Sequence, residues 1–187
     1  MIRSPHTAID FMTILFDGEM FSSHFQGSLL CNGIDGAGVD CFTGQSNGLL
    51  GAAHEGALHL TFGVHTALVK MRILLLSTAP ELDARWEEAV EASFVAKDFD
   101  PPVGTTANVR IYLIQTDAPR WIELVEGAYR VRFTARNFGL QEHLAQASVD
   151  PTLREEYELT FWNSTVAADS ILKATSDDAR IWHQRMK

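Results

Sequence analysis

The 187 residues contain only two cysteines, Cys31 and Cys41. That excludes a disulfide-stapled scaffold, and two thiols supply half of what a structural zinc centre needs. A chain of this length buries a core without such staples. No apolar run approaches the ~20 residues required to cross a bilayer. The opening "MIRSPHTAIDFMTILFDGEMF" has one arginine and an apolar stretch broken by Asp10, Thr13 and Asp17, a poor secretory signal. The expectation is a cytoplasmic protein with reduced cysteines and no membrane partner. Basic side chains are scarce at the front. From residue 1 to 69 Arg3 stands alone against Asp10, Asp17, Glu19, Asp35, Asp40 and Glu55, while the remainder holds 14 bases and 18 acids, for a net charge of −9. A surface of this sign repels nucleic acid and attracts basic proteins. Nucleophile and phosphate motifs are missing too: there is no G-x-S-x-G, no H-E-x-x-H and no P-loop.

What is present is alternation. In "GAYRVRFTAR" Tyr129, Val131, Phe133 and Ala135 fall on one face and Arg130, Arg132, Thr134 and Arg136 on the other, the period of a half-buried strand. "ALHLTFGVH" sets Leu58, Leu60, Phe62 and Val64 against His59, Thr61 and His65 in the same way. "VKMRILLLS" turns wholly apolar, as a central strand does, and "TAIDFMTILFD" (7–17) reads as the strand that opens the sheet. Shorter strands are predicted at 108–115, 120–124 and 157–162, with turn chemistry at "DFDPPVGTT", "TDAPR", "VEGAY" and "VDPT". No internal repeat interrupts the chain. The pattern predicts an all-β protein, an antiparallel β-sandwich in a single domain over 1–187, closed by a short C-terminal helix. For that helix Ser176 is the cap, Asp177 and Asp178 lie in the first turn, and Arg185 and Lys187 lie in the last.

Ten of thirteen glycines lie between Gly18 and Gly63, so a glycine-rich loop segment is expected at about 17–56. Within it "CNGIDGAGVDC" has the spacing G-x-x-G-x-G, the reverse of a dinucleotide fingerprint, and lacks the alternating oxygens and closing glutamate of a calcium loop. It reads as a mobile surface segment that could carry contacts. His54, His59 and His65 read as surface histidines. Arg110, Arg130, Arg132 and Arg136 are expected to pair across strands with acids such as Glu87, Glu91 or Glu123. Residues 79–92 stay open: a capping box from Thr78 to Glu81 favours helix, but Leu82, Trp86, Val90 and Phe94, four apart, fit either state.

The stretches "AIDFMTILF", "GLLGAAHEGALHLTFGVHTALVKMRILL", "WEEAVEASFVAKD" and "WIELVEGAYRVRFTAR" resemble, in order and spacing, the competence protein J family of bacterial β-sandwich proteins. The known member of that family inhibits a DNA-entry nuclease. The resemblance implies a strand over 86–97 after a short helix or turn at 79–85, and no chemistry by any residue. Together with the acidic first third, the glycine-rich loop and the missing catalytic motifs, it suggests an inhibitor or immunity-type protein that occludes a basic partner, a nuclease or toxin; the acidic, aromatic front of the chain then offers Asp17, Glu19, Asp35 and Asp40 as contacts and Phe16, Phe21 and Phe42 as aromatic anchors. No cofactor or metal is expected on this reading. A competing reading is a metal- or ligand-binding β-sandwich enzyme using His54, His59 and Asp40. A third is a structural module of a larger assembly.

Overall fold

The computed structural model describes residues 11–35, 40–101, 108–114, 116, 118–140 and 154–185. They form β1 (Met12–Ser23), β2 (Gln26–Cys31), β3 (Leu50–Gly51), β4 (Ala57–Thr61), β5 (Thr66–Leu76), β6 (Glu88–Ala96), β7 (Asn108–Ile114), β8 (Arg120–Val125), β9 (Gly127–Arg136), β10 (Glu156–Asn163), β11 (Ser170–Ala174) and one helix, α1 (Asp177–Arg185). The all-β expectation holds, and so does the terminal helix. Ser176 Oγ accepts the Ala179 N–H at 3.1 Å, and Asp177, Asp178 and Arg185 complement the helix dipole. The predicted opening strand starts at Met12; its first residues lie outside the described ones.

The two-sheet antiparallel sandwich is corrected. Among the described residues the strands join in one eleven-stranded sheet, ordered β11-β6-β9-β10-β5-β1-β2-β4-β3, with β7 on β2 and β8 on β7. Every pairing is antiparallel except β5 with β10, which run parallel from Lys70↔Glu156 to Leu76↔Trp162. The sheet curls on itself. The Gly56 N–H donates to the Val95 carbonyl at 3.1 Å, bringing the β3–β4 end of the order against β6, and one continuous core fills the interior. Alternation placed that core: Val69, Met71 and Ile73 of β5, Val90, Ala92 and Phe94 of β6, Val131, Phe133 and Ala135 of β9, and Tyr157, Leu159 and Phe161 of β10 all turn inward. The Phe133 and Tyr157 rings stack at 5.4 Å, and Phe62 meets Tyr157 edge-on at 4.8 Å.

β6 resolves the ambiguous segment as strand, close to the bounds the resemblance implied; residues 84–85 form a turn before it and no helix appears there. A β-strand wins because Val90 and Phe94 pair against Phe133 and Tyr129 of β9. Local helix propensity is overridden by burial on a sheet face.

Residues 36–39 of the glycine-rich span lie outside the described ones; its described part holds the second half of β1, all of β2, and β3. Side-chain amides fasten the rest. Asn47 Oδ1 accepts the N–H groups of Leu49 and Leu50 at 3.1 and 2.7 Å, and Gln45 Oε1 accepts that of Ala52 at 2.6 Å. Asp169 Oδ2 takes the Ser46 and Asn47 N–H groups at 2.9 and 2.7 Å. At Gly48 a Cβ would lie 2.2 Å from the Trp182 carbonyl oxygen, so glycine there lets the segment lie directly on α1.

Candidate functional site

The outward face of the sheet is built from cross-strand rows. One row reads Glu19, Lys70, Glu156, Arg136 across β1, β5, β10 and β9; the next reads Asp17, Arg72, Glu158, Thr134. Sign alternates strand by strand, and several pairs close: Arg72 with Glu158 at 2.5 Å, Arg136 with Glu156 at 3.3 Å, and Glu19 with Arg154. The expected arginine pairing is present as well. Arg110 meets Glu123 at 3.6 Å. Arg130 and Arg132 both clamp Glu91, at 3.1 and 2.7 Å. The latter two lie under a roof the sequence did not announce: Arg132 donates to the Pro80 carbonyl and Arg130 to those of Ala167 and Ala168. Of the three acids named as partners, Glu87 takes another role, accepting the Asn137 N–H at 2.7 Å.

The sequence-predicted contact residues fall into three places. Asp17, Glu19 and Phe21 share the outward face of β1, all exposed, with Leu68 of β5 beside Phe21. Phe16 is half-buried, its ring set against Gly18. Asp35 is exposed in the turn after β2, at the end of the sheet where Asn32 Nδ2 donates to Asp98 Oδ1 at 3.0 Å and the Phe99 N–H to the Asn32 carbonyl. Asp40 and Phe42 stand together over β4. A cleft of about 240 Å³ there is lined by Gln26, Asp40, Phe42, His59, Thr61 and Trp182, and the Phe42 ring meets His59 edge-on at 5.7 Å. Asp40 caps the following turn, accepting the Phe42 and Thr43 N–H groups at 2.9 and 3.2 Å. The Thr43 hydroxyl, then these amides, hold its carboxyl below the usual range.

Of the residues named for the metal- or ligand-binding reading, Asp40 and His59 line this cleft and His54 does not. His59 is half-buried with Nδ1 3.4 Å from the Ser28 hydroxyl, and burial lowers its pKa. His54 is exposed and turned to the Glu55 carbonyl at 2.7 Å, while Asp40 spends its oxygens on its own turn. Among the described residues no three His, Cys, Asp or Glu side chains are placed to share an ion. His65 sits in the turn beyond β4 against the His24 and Phe25 rings, at 4.9 and 5.0 Å. Cys31 and Cys41 are buried free thiols. Burial pushes both up to about 11, so neither is a nucleophile at neutral pH.

The crystal structure of ComJ, inhibitor of the DNA degrading activity of NucA, from Bacillus subtilis, superposes on this chain with a TM-score of 0.50 at 15% identity, covering 82% of this chain and 99% of that one. The fold resembles that of ComJ. The likeness to ComJ is one of fold, spread over nearly the whole of that protein. A second solved structure, described as crocagin biosynthetic gene J, aligns with a TM-score of 0.48 at 17% identity, covering 84% of this chain and 100% of that one. No family model matches the chain, and no curated protein matches it in sequence. Beside the ComJ-like fold stand features that sequence reasoning missed: Lys70, Arg72, Glu156 and Glu158 as a charge lattice behind the acids of β1, and Trp182 as a wall of the Asp40 cleft. Period-two parity could have placed the first group on one face. Nothing local signals that α1 returns to β2 and β4. No helix is long and apolar enough to cross a membrane among the described residues.

Proposed function

We propose that this chain is an inhibitor or immunity-type binding protein that neutralises a basic partner, a nuclease or toxin, by covering that partner's basic site. The observation that carries the reading is the fold shared with ComJ, a nuclease inhibitor by its description. Charge supports it: the net value is −9, and a protein that grips phosphate must be basic where it does so, so carboxylates aimed there raise on-rate and specificity. Asp17, Glu19 and Phe21 on β1 form the principal contact, with the half-exposed Phe21 and Leu68 as its apolar centre. Asp35 contacts the partner at one end of the sheet, and Asp40 with Phe42 at the other margin. No bond is made or broken by this chain; it acts by steric and electrostatic occlusion. Two buried free thiols fit action in the cytoplasm, where cysteines stay reduced.

The test is capture of a partner from the source organism at about 20 mM salt, release at high salt, and assay of the released protein for plasmid degradation. The reading predicts a basic protein that degrades DNA and is silenced when an equimolar amount of this chain is restored. Absence of any basic protein among those retained would refute it.

A further inference from the structure

Among the described residues, β1 is a long strand with one side of its backbone unpaired over nearly all its length. It pairs with β5 along its whole length, from Met12↔Leu76 to Ser23↔Thr66. On its other edge, among the described residues, it pairs with β2 at the single position Ser23↔Gln26. β2 then departs to pair with β7 from Ser28↔Ile114 to Cys31↔Ile111, and the sheet forks. β8, the outermost strand of that fork, pairs among the described residues with β7 alone. Between the β1 edge and the start of β8 opens a cleft of about 470 Å³, lined by Phe16, Asp17, Gly18, Glu19, Thr116 and Arg120 among others. Every second residue of β1 turns its N–H and C=O toward this opening. Such a row is a template for a further strand. Met12 and Ile14 on β1 are 59% and 52% exposed, so apolar surface waits there as well.

Charge decides the occupant. The outward rows alternate in sign, ending in Asp17 and Glu19 on β1, after Arg72 and Lys70 on β5. The strand that continues this alternation carries bases. Glu19 already holds Arg154, while Asp17 forms no ion pair with the described residues, so Asp17 is the open position. A second copy of this chain is the wrong occupant: antiparallel pairing of two β1 edges about their middle sets Asp17 opposite Asp17, and like charges directly opposed are unfavourable.

We infer that the outer edge of β1 captures an extended basic segment of the partner as an added strand, its backbone pairing with residues 12–22 and its alternate Lys or Arg side chains meeting Asp17 and Glu19. This rests on the proposed basic partner and specifies how the partner is held. The probe is an end-blocked nine-residue peptide in which valine and lysine alternate. Binding is followed by fluorescence anisotropy at about 20 mM salt, and protection by amide hydrogen exchange. Three results are expected: exchange slows within 12–22 and not in β10; methylating the three central backbone nitrogens of the peptide, which blocks both of its edges, weakens binding at least tenfold; and Asp17→Lys, an exposed substitution whose folding is verified by circular dichroism, weakens it three- to tenfold and favours a valine–glutamate peptide. Failure of the valine–lysine peptide to bind, equal binding of the methylated peptide, or protection confined to other strands overturns strand addition. The capture and DNA assay described above uses neither peptide nor variant, so a basic partner retained there would leave the broader reading standing even when the edge fails.

Discussion

Replacing Glu91 with alanine tests how the outward face is held together. Glu91 Oε1 accepts from Arg132 Nε and Nη2 at 2.9 and 2.7 Å, and Oε2 accepts from Arg130 Nε at 3.1 Å. All three side chains are nearly covered, at 14% exposure for Glu91, 11% for Arg132 and 9% for Arg130. Removing the carboxylate strands two guanidinium charges under the roof formed by residues 80 and 167–168. Breaking a buried pair from one side costs about 3–5 kcal/mol. Arg130 keeps two carbonyls and Arg132 keeps one, together with the Trp162 ring at 5.5 Å, which puts the loss near the lower bound, about 3 kcal/mol. Against a total of about 5–15 kcal/mol that is severe. It corresponds to about 6–12 °C in Tm for a domain of this size, or a urea midpoint lowered by about 1–1.5 M at an m-value of 2–3 kcal/mol/M. Glu91→Gln, which retains an acceptor but loses the charge, should fall between the two. A loss below about 0.5 kcal/mol for Glu91→Ala, the range of exposed pairs, would refute the claim that this cluster is a desolvated brace.

Three further outcomes follow from the geometry. Tyr157 donates to buried Glu155 and accepts the Gly63 N–H at 2.7 Å, so Tyr157→Phe should cost about 1–3 kcal/mol by chemical denaturation through the groups left unpaired. Gly48→Ala should destabilise by more than the ~0.5–1 kcal/mol spread of glycine effects, because its Cβ would collide with backbone of α1 at 2.2 Å; a neutral result in thermal unfolding would contradict the close packing. Glu88 is fully buried, and burial raises its pKa even though the Thr175 and Ser176 amides donate to it. A carboxyl raised in the folded state favours folding in its protonated form, so that contribution is whole below the unfolded value of about 4.3 and is lost as pH climbs through the folded pKa. The stability of Glu88→Gln relative to wild type should therefore rise with pH above about 4.5 and then level; a flat difference would show that Glu88 does not titrate abnormally.

Much of the architecture was legible because burial imposes parity. Tyr129, Val131 and Phe133 could be assigned to the core from spacing alone, whereas Asp17, Glu19 and Phe21 fell at or beyond the predicted end of the opening strand, which in fact runs on to Ser23. Partner choice was not legible. Nothing near Lys70 or Glu156 announces that β5 and β10, far apart in the chain, run parallel side by side, and that pairing is what makes one curled sheet instead of two. The four-residue spacing of Leu82, Trp86, Val90 and Phe94 fits a helix stripe and a strand face equally, so only tertiary pairing to β9 decides it. Glycine content suggested a loop over 17–56, whereas Gln45, Asn47 and the distant Asp169 supply hydrogen bonds that fix residues 45–52 within it; such long-range satisfaction leaves no local trace. The fork that exposes the β1 edge depends on β2 leaving for β7, again a non-local choice.

Silencing of a basic DNA-degrading protein by this acidic, ComJ-like chain is the proposal that a single mixing experiment decides. The most direct measurement mixes the basic protein captured from the source organism with plasmid DNA, with and without an equimolar amount of this chain, across a salt series. Degradation should stop when the chain is present at low salt and return as salt weakens the complex. Degradation proceeding unchanged in the presence of the chain at every salt concentration would rule out inhibition by binding.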